Sequence, residues 1–184
     1  MRSILEWLGL VPTTPGPEGD ADAVHRIVRE LETLPPDQAR DLALFAFLLA
    51  RAADVDLEIT EGESREMERI VEEEGGLPPA QAALAVGIAK AENRLLGSTQ
   101  NFLVAREYRD RAGPEEKRRL VHCLFAVAAA DGSISVAEEE AIREISRELL
   151  LANDEYLALR SRWTERRAVF QRDPGDVPGD GSSR

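Results

Sequence analysis

The chain has 184 residues, a net charge of −12, a single cysteine and 5% aromatic residues. That charge excludes nucleic acid as a general partner and disfavours an anionic membrane surface. One cysteine excludes an intrachain disulfide and suits a reducing cytoplasm, and no apolar run reaches the roughly 18 residues of a membrane span.

The length suits one compact domain with a sizeable core, and an Ala-, Leu-, Glu- and Arg-rich composition suits helices. Ser3–Leu10 is a short amphipathic segment carrying Ile4, Leu5, Trp7 and Leu8. It is joined through a Pro/Gly/Thr linker, so residues 1–21 read as a mobile arm. Glu6 interrupts the apolar part and no small-residue cleavage site follows, which argues against a signal peptide. Asp22 is placed to cap a helix with Val24, Ile27, Val28 and Leu31 as its stripe, stopped by Pro35-Pro36.

The next helix, Asp37–Ala53, is apolar on every side from Leu42 to Ala50, and Pro114–Ala130 does the same from Leu120 onward. Helices without a polar face belong at the centre of a bundle. Thr60 caps Glu61–Glu74, and Gly75-Gly76 ends it in a form suited to a left-handed cap. Pro78-Pro79 starts a helix through Leu84 and Ile88 to Gly97, and Ser98 caps Gln100–Ala112. Ser135 caps Val136–Leu150, and Asn153 caps a helix from Asp154 to about Phe170. The Gly/Pro/Ser/Asp-rich tail 173–184 reads as disordered. Nothing reads as a strand. The expectation is an all-α bundle of seven to eight helices over residues 22–172.

The two central helices each run into an acidic loop. Aligning Asp54 with Asp131 superposes Leu44–Ala53 on Val121–Ala130. Two extra residues then place Ile59 on Ile134, Thr60 on Ser135, Glu63 on Glu138 and Ile70 on Ile145. This is an internal repeat of a helix–acidic loop–helix unit with a period of about 75 residues. Residues 54–74 hold ten acidic residues and two arginines, a charge of −8 within the −12. Such a run makes either a solvated helix face or a cation-attracting surface.

The spacing Asp131-Gly132-x-Ile134-x-x-x-Glu138 resembles the last two-thirds of an EF-hand calcium loop. Val127 and Ala129 stand where that loop needs its first ligands, so Asp131 and Glu138 make at most half a site. The first unit supplies Asp54 and Glu63 as the other half. Thr60-x-x-Glu63 and Ser135-x-x-Glu138 are also capping boxes, in which the same side chains satisfy helix N-termini and need no metal.

Cys123 lies in an apolar run and reads as a small core residue. His25 and His122 have no partner at ligand spacing and read as hydrogen-bonded or partly exposed. The arginines between Arg106 and Arg119 alternate with acids and read as an ion-paired surface. No nucleophile–base pair is present, so the chain is not expected to be an enzyme.

The run Ala-Asp-Gly-x-Ile-x-x-x-Glu-Glu after an apolar helix, followed by Ile142-Arg143-Glu144-Ile145, resembles the tellurite-resistance TerB family. So do Asn101-Phe102, Arg106-Glu107, Pro114-Glu115-Glu116 and Leu120-Val121, giving a resemblance from Ala39 to Trp163. The first unit departs from the pattern, having Asp54-Val55-Asp56-Leu57-Glu58-Ile59. Asp56 or Glu58 is therefore an alternative to Asp54. The resemblance implies an all-helical domain of two related halves and a non-enzymatic stress-response or metal-related role. It also implies a divalent cation, with calcium and magnesium as candidates, held by Asp54, Glu63, Asp131 and Glu138, with Glu139 behind them. Tellurite is part of the family's name, and no residue argues for oxyanion chemistry. The competing expectation is a metal-independent scaffold that docks other proteins through Glu61–Glu74 or Ser3–Leu10.

Overall fold

The computed structural model describes residues 18–53, 61–95 and 101–167. Asp54, Asp56, Glu58, Thr60, Ser98, the segment Ser3–Leu10 and the tail 173–184 lie outside them. The described residues form eight α-helices: α1 (Glu18–Glu32), α2 (Pro36–Ala52), α3 (Glu61–Glu73), α4 (Pro79–Leu95), α5 (Asn101–Arg111), α6 (Pro114–Ala128), α7 (Val136–Glu148) and α8 (Asn153–Ser161). A 3-10 turn, Thr164–Arg166, follows. No helix is long and apolar enough to cross a membrane, among the residues described.

The hub is α2, which packs against α1, α4, α5, α6 and α7. Its run Leu42–Ala50 is buried without a break, and Leu44, Leu48 and Leu49 are fully buried. Each such side chain stabilises the fold by about 2 kcal/mol relative to exposure. The second apolar helix, α6, packs against α2, α3, α7 and α8, and buries Leu120, Val121 and Cys123 through Ala128. The two apolar helices each pack on the helix that follows the other, α2 against α7 and α6 against α3.

The termini follow the local signals with three differences. Helix α1 begins at Glu18, four residues before Asp22, so Asp22 lies inside it. Helix α8 begins at Asn153, with Ala152 at the cap position, where the Ala152 amide donates to Glu155 Oε2 at 3.2 Å. It ends at Ser161, well short of Phe170. The chain then turns through Arg162–Arg166, where Trp163 N donates to Arg160 O at 3.0 Å and Arg166 N to Trp163 O at 3.0 Å. The turn sets Arg167 beside Ile134 in an isolated parallel bridge, a pairing between distant residues that no local periodicity carries.

The α3–α4 turn needs both of its glycines. Gly76 has φ +66°, which only glycine adopts without strain. A Cβ on Gly75 would stand 2.4 Å from the Val71 carbonyl oxygen.

Candidate functional site

The loop after α6 is built by backbone chemistry. Gly132 N donates to Ala129 O at 3.0 Å, and Gly132 sits at φ +103°. This reversal turns Asp131 outward, where its Oδ1 accepts from Ser133 N at 2.9 Å. Ile134 is buried and donates its amide to Arg166 O at 2.7 Å, which fastens the loop to the segment after α8. Ser135 then caps α7. Its Oγ accepts from Glu138 N at 3.1 Å, while Glu138 Oε2 accepts from Ser135 N at 2.8 Å. The reciprocal pair is a complete capping box.

Asp131 is exposed and Glu138 half-buried. Each commits one carboxylate oxygen to the backbone, and among the described residues the other oxygen, Asp131 Oδ2 or Glu138 Oε1, accepts no protein hydrogen bond. Glu63 is exposed in the first turn of α3, while Asp54 lies outside the described residues. The last turn of α2, just before Asp54, is fixed elsewhere on α7. Arg51 reaches Glu148 at 2.5 Å and Glu144 at 2.9 Å. Glu148 is ten residues beyond Glu138, about 15 Å of helix rise.

Glu139 holds two arginines, rather than a neighbouring ligand carboxylate. Its side chain is 13% exposed, with Arg160 at 2.6 Å and Arg167 at 2.5 Å. Burial pushes this carboxyl up. The hydrogen bonds and charges of Arg167 and Arg160 outweigh that and hold it below its ordinary value. Arg51, Arg160 and Arg167 are therefore the organising cations of this region, and their partners lie too far away in sequence for any motif to reveal them.

A hard cation wants six or more oxygens. Among the described residues no group of three or more His, Cys, Asp or Glu side chains is arranged to hold one. Asp131 and Glu138 supply two carboxylates, well short of that number.

The remaining candidates match their sequence readings. Cys123 is buried, and burial pushes its thiol up to about 12, so it is neither a nucleophile nor a thiolate ligand near neutrality. His25 is exposed, and His122 Nε2 lies 2.9 Å from Glu74 Oε2. The basic stretch between Arg106 and Arg119 is ion-paired in part: Arg109 with Asp110, Arg111 with Asp37 and Asp41, and Arg118 with Glu115 and Glu155, but not Arg106, Lys117 or Arg119 among the described residues.

Comparison with protein families matches residues 41–161 to the family described as tellurite resistance protein TerB. Comparisons with curated proteins and with solved structures gave no match. The matched segment runs from the hub helix α2 to the end of α8, and on that match the chain belongs to the TerB family.

Proposed function

We propose that this TerB domain acts without catalysis as a divalent-cation-binding module, for calcium or magnesium, in a stress-response or metal-related role in the cytoplasm. One observation supports the reading. Asp131 in the loop after α6 and Glu138 in the first turn of α7 each keep one carboxylate oxygen outside the hydrogen bonds that shape this junction. Asp131 and Glu138 are the proposed ligands from the second unit, and Asp54 and Glu63 from the first.

Separating ligand from cap tests this. Glu138→Gln preserves the capping hydrogen bond, because a Gln side-chain oxygen also accepts from the Ser135 amide. It removes a charge that a hard cation needs. At a metal concentration of about a hundred times Kd, the unsubstituted chain should gain roughly 2.7 kcal/mol, and Glu138→Gln much less. Ser135→Ala should lose about 1 kcal/mol with or without metal, since it removes a cap. Identical responses of the unsubstituted chain and Glu138→Gln to calcium and magnesium would make Glu138 a cap alone and overturn the reading.

A second reading, the metal-independent scaffold, has its own observation. The groove between α7 and α8 is lined by Arg143, Arg147, Arg160 and Arg167 against Glu139 and Glu140, a local cationic excess in an acidic chain. The exposed apolar side chains Val136 and Leu157 also line it. That chemistry suits an acidic partner segment. A metal titration that is silent at every amide, with partner binding intact, would favour this reading over the first.

A further inference from the structure

The groove between α7 and α8 has a volume of about 570 Å³. Arg160, near the end of α8, meets Glu139 near the start of α7, so the two helices run in opposite directions along it. Glu139 is shared by Arg160 and Arg167, and Glu140 takes Arg143. Arg147 is exposed and makes no ion pair among the described residues. Four guanidiniums therefore face two carboxylates, a surplus of positive charge in a chain whose net charge is −12.

Two features here burden the free fold. Tyr156 lines the groove and is 5% exposed, and its hydroxyl is buried without a hydrogen-bond partner among the described residues. Burial pushes that hydroxyl above its ordinary value, so it keeps its proton and can either donate or accept. A buried hydroxyl left unpaired is destabilising. Leu150, next in the chain to the groove residue Leu151, sits at φ +56° with its side chain exposed. Leu151 N donates to Ser146 O and Leu150 N to Arg147 O, a helix ending that ordinarily places glycine where Leu150 stands. A leucine in that conformation is strained.

We infer that this groove binds an extended acidic peptide of about five residues, with its carboxylates on Arg143 and Arg147 and an apolar side chain between Val136 and Leu157. It rests on the scaffold reading and gives that partner a conformation and a register. Val136 and Arg147 are eleven residues apart on α7, about 16 Å of helix rise, which about five extended residues span. The surplus of arginine selects acids. Val136 and Leu157 are both exposed and gain from covering, and Leu150 flanks the Arg147 end. An extended backbone presents both N–H and C=O groups, so it completes Tyr156 whichever role the hydroxyl takes. A helix uses those groups internally.

The test is amide NMR on the full chain, titrated with the capped peptide Leu-Asp-Leu-Asp-Glu and its uncharged counterpart Leu-Asn-Leu-Asn-Gln, each in calcium, magnesium or EDTA. Saturable shifts are expected at Val136, Arg143, Arg147 and Leu157, weakening as salt is raised. The uncharged counterpart should bind about tenfold more weakly. Arg147→Gln and Tyr156→Phe should each weaken binding about fivefold, and Leu150→Gly about threefold. Neither Tyr156→Phe nor Leu150→Gly should lower the melting temperature, since each removes a burden on the free fold. No saturable shift by about 5 mM of the acidic peptide, with or without metal, overturns the groove as a binding site. So does equal binding of the uncharged counterpart, or undiminished binding by Tyr156→Phe. Shifts at the same amides on raising protein concentration alone would give the groove to a second copy, and shifts on deleting residues 173–184 would give it to the chain's own tail. Either overturns the peptide partner. Peptide binding seen only with calcium or magnesium overturns the metal-independent scaffold and leaves the groove standing.

Discussion

Helices α3 and α7 are each thirteen residues long and each follows one of the two apolar helices, yet their charges meet different partners. On α7, Glu139 is held by Arg160 and Arg167, and Glu144 and Glu148 by Arg51, all from other segments of the chain. On α3, Glu66 and Glu73 are bound by Arg69 of the same helix, with all three side chains about half exposed. Lys90 donates to Ser64 Oγ at 2.6 Å, and His122 meets Glu74 just past the helix end. The two helices therefore both bury apolar side chains in the core and differ in their polar contacts. Buried long-range ion pairs pin α7 into the framework, whereas α3 turns its acids to water. Breaking a buried pair strands a charge, while exposed pairs are screened by solvent.

The largest expected effect tests that contrast directly. Glu139→Ala leaves two guanidiniums without their carboxylate, one of them on buried Arg167, and should cost about 4 kcal/mol in denaturant unfolding. A loss below about 1 kcal/mol would mean that α7 is held by apolar packing alone. The same residue gives a pH test. Its folded carboxyl titrates below the ordinary 4.5, so the stability it contributes is fully present above that value and lost as pH falls through the lower folded value. Glu139→Gln should therefore flatten the acid limb of the stability–pH curve and leave its neutral-to-alkaline course parallel to that of the unsubstituted chain.

Arg51→Ala comes next, at about 3 kcal/mol, because it strands Glu148, whose side chain is 15% exposed. Thermal melts of Arg51→Ala and Arg51→Ala/Glu148→Leu sharpen the point. The double variant should recover part of the loss, since removing both charges also removes the stranded one. The smallest effect belongs to the other unit. Glu74→Ala should cost less than about 1 kcal/mol, because Glu74 is 42% exposed and His122 is 22% exposed. A cost equal to that of Arg51→Ala would erase the contrast between the two helices.

Much of the fold was legible because it is written in local signals. The unbroken apolar runs of α2 and α6, the Pro35-Pro36 and Pro78-Pro79 boundaries, Gly76 and the Ser135/Glu138 box each act within a few residues. The clamps were not legible. Arg51 and Glu148 are 97 residues apart, and an arginine on a helix end reads equally well as a dipole partner. The end of α8 was misjudged for a related reason. Residues after Ser161 retain helical propensity, but the contact of Arg166 and Arg167 with Ile134 and Glu139 draws the chain away. The candidate site was legible in its residue types only. Asp131 and Glu138 were found by spacing, and their engagement by the backbone follows from the capping chemistry weighed beside the metal.

The fastening of the Asp131–Glu138 loop to Arg166 and Arg167 has a consequence in time. Glu139 is synthesised 28 residues before the Arg167 that neutralises it. At about 5–20 residues per second, the ribosome takes roughly one to six seconds to supply that partner. Until then α7 carries a carboxylate destined for a nearly enclosed position without its full countercharge, and the Ile134 amide awaits Arg166. The second unit can therefore collapse early on its apolar helix, but its loop reaches final form only when the chain just past α8 has emerged. A translational pause before Arg166 would prolong an unfinished loop.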